Sequence, residues 1–234
     1  MRAIVISDCH ANVDYVVNAL LHSRYDQKKD RLIFAGDVFD IGPDPKTCLD
    51  FLEDAGAEML LGNHELAVLY GERISPQSLI SWTFKDFIKS KVRGPERWAV
   101  MAEHDGVLIS HAGVSQVYWE TLEGMSAEEV AAYFNDRFQH IDIKAIADEF
   151  WSQEGPLWFR PGFLCPLQGF KQIVGHTPPS HLLPEFAKSE TYISVDPYVR
   201  HPSVASGKRY RYVVIEDGIV SVYDSLIKNS TPVA

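Results

Sequence analysis

Short apolar runs along the chain pass directly into polar clusters. Ala3–Ile6 leads into Ser7-Asp8-Cys9-His10, and residues 32–35 lead into Gly36-Asp37-Val38-Phe39-Asp40. Residues 59–61 lead into Gly62-Asn63-His64-Glu65, 107–109 into Ser110-His111-Ala112-Gly113, and 173–174 into Gly175-His176-Thr177. Runs of Ile, Val and Leu this short, bounded by glycine, read as buried strands. Apolar residues at helical spacing predict a helix over 13–21 and a shorter one over 47–52. Ser75-Pro76 offers an N-cap with Pro at the first helical position, opening a helix through Trp82, Phe84 and Ile88. Ser126 and Glu129 have capping-box spacing at the start of a helix toward Phe138, and a third helix covers Ile143 to Trp151. The Pro- and Gly-rich stretch 155–169 reads as loop. The chain closes in strands at 192–195, 210–215 and 219–223, the last two joined by a hairpin through Glu216-Asp217-Gly218.

In open α/β sheets the loops that carry function gather at the carboxyl ends of the strands. Five strands ending in potential ligands therefore place those ligands along one edge, within reach of one another. A chain of 234 residues fits one such domain over 1–234, with helical inserts at about 75–104 and 126–151.

Composition narrows the functional classes. Apolar residues make up 46% and charged residues 23%, the balance of a globular protein. The net charge of −10 repels a nucleic-acid backbone and an anionic membrane surface, so both are disfavoured as partners. A phosphate-containing small substrate stays open, because bound metals supply local positive charge. Three separated cysteines, Cys9, Cys48 and Cys165, form no disulfide framework and no metal pair, which points to a reducing, cytoplasmic setting. The first apolar stretch is cut off by Asp8 and His10, too soon for a signal peptide, and no run approaches the ~18 apolar residues of a membrane span.

The polar clusters carry the chemistry. A pair of divalent metals needs several N and O ligands and a carboxylate that bridges the ions ~3.5–4 Å apart. Asp8 and His10, two apart, fall on one side of an extended segment. Asp37 follows glycine and can bridge, Asn63 can offer its amide oxygen, and His111 and His176 each follow a strand. Two carboxylates, an amide and three imidazoles suit Mn, Fe or Zn. Each piece alone is a weak signal; the five in this order are specific.

Together, Asp8-x-His10, Gly36-Asp37-x-x-Asp40, Gly62-Asn63-His64-Glu65, His111-Ala112-Gly113 and Gly175-His176-Thr177 resemble the five signature blocks of the calcineurin-like metallophosphoesterase superfamily. The resemblance spans about residues 1–180. It is strongest to the bacterial branch of the phosphoprotein phosphatases, which includes Ser/Thr phosphatases and dinucleoside tetraphosphatases. It implies an α/β (α+β) fold: a four-layer β-sandwich flanked by helices, with the site at strand ends. It also implies that Asp8, His10 and Asp37 bind one metal, and that Asp37, Asn63, His111 and His176 bind the second, with Asp37 bridging. His64 would protonate the leaving group, and Asp40 would orient His64. Two divalent ions are implied, Mn first, with Fe or Zn allowed.

The chain departs from the family where arginines usually grip phosphate: Ile41 follows Asp40, and Leu61 precedes Gly62. Neither can replace a planar, bidentate guanidinium. Arg160, in Leu157-Trp158-Phe159-Arg160-Pro161, is the remaining candidate for that clamp. The resulting expectation is a dinuclear phosphoester hydrolase using a metal-bridging hydroxide. A phosphomonoester phosphatase of the protein Ser/Thr type comes first. The alternatives are a nucleotide hydrolase or phosphodiesterase, acting on dinucleoside polyphosphates or cyclic nucleotides, and a metal-binding module without turnover. The expected partner is a phosphate ester, on a phosphoprotein or a nucleotide.

Overall fold

The computed structural model describes residues 1–72, 74, 82–92, 98–140, 142–198, 210–225 and 232–233. It is an α/β fold with two mixed sheets and, among the described residues, eight α-helices. In the first sheet, β1 (Ala3–Ile6), β2 (Arg31–Phe34) and β3 (Glu58–Met59) run parallel. Helices α1 (Val13–Ser23) and α2 (Pro45–Asp54) make the crossovers between them. The side chain of Asn12 caps α1 by accepting from the Tyr15 amide, and Asp44 caps α2 by accepting from that of Thr47. The second sheet contains β4 (Met101–His104), β5 (Val107–Ser110), β6 (Lys171–Val174) and β7 (Tyr192–Ser194) in that spatial order, with only the β4–β5 pair antiparallel. Strands β8 (Arg211–Glu216), β9 (Ile219–Asp224) and β10 (Pro232–Val233) return antiparallel to the first sheet, giving the order β10-β9-β8-β1-β2-β3.

Side-chain alternation divides the core. Ala3, Val5, Ile33, Val213 and Ile215 of the first sheet share one apolar cluster with Val107, Ile109, Ile173 and Ile193 of the second. The opposite residues of β1 and β2, Ile4, Ile6, Leu32 and Phe34, pack with Tyr15, Val16 and Ala19 of α1 and Leu49 and Leu52 of α2. Met101 and Leu108 of the second sheet belong to that cluster too, beside Val130, Phe134 and Phe138 of a later helix. The central strands are thus covered on both faces, which is why they read as unbroken apolar runs rather than alternating ones. Each fully buried Ile or Leu contributes about 1.5–3 kcal/mol.

Most expected elements are present with boundaries shifted by a residue or two. The hairpin between β8 and β9 turns on Asp217 and Gly218, both at positive φ (51° and 76°), as a tight two-residue turn requires. The capping box is formed: the Ser126 amide donates to the Glu129 carboxylate at 2.8 Å, and the Glu129 amide to Ser126 Oγ at 3.3 Å. The expected cap at Ser75-Pro76 lies outside the described residues; downstream, a helix covers Lys85–Val92. Two elements differ from expectation. The stretch expected as a helical insert, 75–104, ends in strand β4, which pairs with β5 across an Asp105-Gly106 turn. A helix over Asn63–Tyr70 was not expected, because its residues 63–69 are all buried and it has no polar face to give a periodic signal. Helices at Trp119–Leu122, Ala127–His140, Ile143–Phe150 and Pro184–Ala187 complete the set, and none of the described helices is long and apolar enough to cross a membrane.

One buried cation ties the two sheets beside the future site. The Arg211 guanidinium of β8 donates twice to the Ser194 carbonyl at the end of β7, at 2.9 and 2.7 Å, and once to Asp224 of β9 at 2.7 Å. Removing it takes a charged, hydrogen-bonded partner from the buried Asp224 carboxylate. Arg211→Ala should therefore destabilise the protein by about 3–5 kcal/mol in urea denaturation, whereas replacing Arg211 and Asp224 together by Leu should cost less. Wild-type stability in Arg211→Ala would contradict this tie.

Candidate metal centre

The polar clusters that follow β1, β2, β3, β5, β6 and β7 meet at one edge. Backbone bonds stitch them together: the Asp8 amide donates to Gly36 O at 3.0 Å, that of His10 to Asp37 O at 3.0 Å, and that of Gly175 to His111 O at 2.8 Å. The approach is too close for side chains on the intervening glycines. A Cβ on Gly62 would lie 2.2 Å from Asp37 Oδ1, and one on Gly175 would lie 2.1 Å from Asp8 Oδ2.

Six expected donors, Asp8, His10, Asp37, Asn63, His111 and His176, are all buried at this edge. Asp37 is at the centre. Its Oδ2 lies 3.6 Å from His10 Nε2 and 3.8 Å from His64 Nε2, and its Oδ1 lies 3.5 Å from His111 Nε2. Asn63 Oδ1 is 2.7 Å from His111 Nε2 and 3.1 Å from His176 Nδ1. Among the described residues, two groups of side chains could hold an ion: His10, Asp37 and His64, and Asp8, Asp37 and His111. His64 enters the first group by proximity, although the sequence gives it a different role. Its Nδ1 is bonded to Asp40 Oδ2 at 2.7 Å, which turns Nε2 toward Asp37.

The protonation pattern fits cations. His111 Nδ1 faces the Ala35 carbonyl at 2.9 Å and His10 Nδ1 the Phe39 carbonyl at 2.9 Å, so each Nδ1 carries a proton and each Nε2 presents a lone pair. Burial pushes the His111 pKa down to about 3 and holds that of His176 well below the usual imidazole range, so both rings are neutral. His176 Nε2 is buried and has no hydrogen-bond partner among the described residues. Burial raises the pKa of Asp8, with Asp196 adding to it; burial also raises that of Asp37, reinforced by Glu65 and Asp8. Neutral imidazole lone pairs and two carboxyl groups thus converge where burial and neighbouring carboxylates disfavour negative charge, a penalty that a divalent cation offsets. Donors 2.7–3.8 Å apart match the spacing of ligands that each bind one ion at roughly 2.0–2.2 Å. These buried His/Asp clusters are typical of a dinuclear metal site.

The sequence places Asp8 and His10 on one side by strand alternation, and the structure achieves this differently. Both residues, with Asp37, Asp40, Ile41 and His176, have φ between 43° and 71°, the left-handed region that only glycine enters freely. Strain of this kind costs about 1–3 kcal/mol per residue and must be held by the surroundings. Glu65 supplies much of that hold. Its buried carboxylate accepts the amides of Asp37 and Gly62, both at 2.9 Å, Val38 at 3.0 Å and Phe39 at 3.3 Å.

Five of these donors, all but the fully buried His111, open onto a cavity of about 220 Å³ that is also lined by Ile41, Trp158, Arg160, His181, Asp196 and Tyr198. The Arg160 guanidinium lies over the Trp158 ring, 5.3 Å from its centroid, and has no ion-pair partner among the described residues. Ile41 faces the cavity; Leu61 is fully buried in the core and does not line it. Trp158 lines the cavity, whereas Trp82 does not. Glu65, Asp196, His181 and Tyr198 are site residues to which the five sequence blocks assign no role. Asp196 was legible, because 192–195 runs into it as the other strands run into their clusters; His181 and Tyr198 sit on loops without such a mark.

A family model described as calcineurin-like phosphoesterase matches residues 1–207. A symmetrical bis(5'-nucleosyl)-tetraphosphatase of Actinobacillus succinogenes is 26% identical over 183 residues, covering 74% of this chain and 63% of the relative. Serine/threonine-protein phosphatase 1 of Salmonella typhimurium is 34% identical over 76 residues, covering 32% of this chain and 35% of the relative. The chain thus spans less than two thirds of the length of these curated relatives. A cold-active protein-tyrosine phosphatase of a psychrophilic Shewanella superposes with a TM-score of 0.62 at 19% identity, covering 94% of this chain and 77% of the other, a likeness of fold.

Glu65→Gln keeps the shape but sets an amide group against backbone N–H donors. It should lower divalent-metal affinity about 10–100-fold in calorimetric titration. Unchanged affinity would show that the loop holds its donors without this carboxylate.

Proposed function

We propose a function from one premise: the chain belongs to the calcineurin-like phosphoesterase family and is a phosphoric ester hydrolase. The observation that carries the site assignment is the convergence of His10 and His111 on Asp37, with Asp8 in the same group and the Asn63 carbonyl oxygen between His111 and His176. On this reading Asp8, His10 and Asp37 hold one divalent ion; Asp37, Asn63, His111 and His176 hold the other. The whole chain acts as a single domain, its two sheets sharing one core with helices outside, as in a four-layer sandwich.

When bound, two such ions lower the pKa of water to supply a nucleophile and neutralise phosphate charge. Manganese is the first choice for them. The protein's own groups do the rest. Arg160, stacked on Trp158, grips non-bridging phosphate oxygens and counters their charge in the transition state. His64, oriented by Asp40, donates a proton from Nε2 to the leaving oxygen.

For the substrate, we place hydrolysis of dinucleoside polyphosphates first and a phosphomonoester, including a phosphoprotein, second. This reverses the order expected from the sequence. The match to the tetraphosphatase extends over most of the chain, whereas the match to the Ser/Thr phosphatase covers about a third, which keeps the monoester as the second reading.

The test compares diadenosine tetraphosphate, a phosphoserine peptide and glycerol phosphate as substrates of Mn²⁺-loaded protein, beside His64→Ala. The dinucleotide should be cleaved fastest, into two nucleoside diphosphates. His64→Ala should keep its metals yet lose about 10²–10⁴-fold on glycerol phosphate, whose alkoxide needs a proton, and lose less on the dinucleotide, whose leaving group is a phosphate. Faster turnover of the phosphopeptide would move the second reading to first, and full activity of His64→Ala on glycerol phosphate would remove the general-acid assignment.

A further inference from the structure

The cavity wall beyond the metal donors carries three further side chains. Ile41 is 37% exposed and faces the cavity. It is β-branched, yet its φ is 64°, a conformation that such side chains strongly disfavour. The Gly42 amide fixes it there by donating to Asp40 O at 2.7 Å and His10 O at 3.0 Å. The strained turn holds an apolar side chain at a polar cavity mouth, and outliers of this kind gather at ligand contacts. The second feature is Tyr198, which lines the same cavity, also at positive φ (58°). The third is the exposed His181, whose ring meets that of Tyr198 edge to face at 4.9 Å.

We propose that Ile41, His181 and Tyr198 form a nucleobase subsite. A flat, apolar-faced ligand group suits an aliphatic side chain and aromatic rings, and stacking of this sort tolerates any base because every base has a π-face. Arg160 and the Asp/His donors in the same cavity take the phosphate end. The proposal rests on the nucleotide reading of the site and supplies the part of it that distinguishes a nucleotide from phosphate.

Calorimetric titration of Mn²⁺-loaded protein with adenosine monophosphate and with inorganic phosphate tests it. The wild type should bind the nucleotide at least about tenfold more tightly than phosphate. Ile41→Gly and His181→Ala should each lose much of that preference while their phosphate affinity stays put. Because glycine accepts positive φ, Ile41→Gly should melt no lower than the wild type, so a weaker titration cannot be laid to misfolding. Equal affinity of the wild type for both ligands overturns the subsite, as does an Ile41→Gly variant that weakens both ligands alike. Cleavage of diadenosine tetraphosphate is scored separately: a wild type that prefers the nucleotide but leaves the dinucleotide intact keeps the subsite and removes the proposed substrate.

Discussion

The four backbone-amide hydrogen bonds accepted by the Glu65 carboxylate hold the site in shape. They join the turn after β2, through Asp37, Val38 and Phe39, to the turn after β3, through Gly62. Asp37 is thereby fixed at the start of the helix over Asn63–Tyr70, where its Oδ1 accepts the His64 amide at 3.1 Å and meets the positive end of the helix. Asn63 and His64 leave the same helix start, so one carboxylate sets the relative positions of the proposed bridging ligand, an amide ligand and the proposed proton donor. A carboxylate fully removed from water is costly unless charge-assisted hydrogen bonds satisfy it. The four amides do so here, and the burial that makes the arrangement expensive also makes it rigid.

Rigidity is needed because the surrounding backbone is strained. Residues at positive φ concentrate around the cavity, from Asp8 and His10 through Asp37, Asp40 and Ile41 to His176 and Tyr198. Donors carried on regular strands would alternate between faces; left-handed turns at the strand ends let successive residues aim at one point. The cost is met by the two-faced core beneath, by cross-sheet bonds such as Arg211 to Ser194, and by the glycine contacts at Gly62 and Gly175 that admit no side chain.

Much of this was legible in the chain. Buried parallel strands announce themselves as short apolar runs, and each of five ran into a block of donors that the fold brings to the same edge. Burial of the Asp/Asn/His set follows from that pattern. What stayed hidden had physical causes. The helix over Asn63–Tyr70 is enclosed on every side and so shows no amphipathic period. Asp8 and His10 share a site through left-handed backbone, which residue spacing does not encode. Leu61 looked like a lost phosphate ligand, but its side chain belongs to the core, so only Ile41 bears on the cavity. His181 and Tyr198 arrive from loops whose course depends on the whole fold.

In the proposed site, one buried Asp/Asn/His cluster holds two ions bridged by Asp37. Anomalous diffraction from crystals grown with Mn²⁺ measures this directly. Two manganese peaks per chain, roughly 3.5–4 Å apart with the Asp37 carboxylate between them, are the predicted result. A single peak, or peaks away from Asp37, would contradict it.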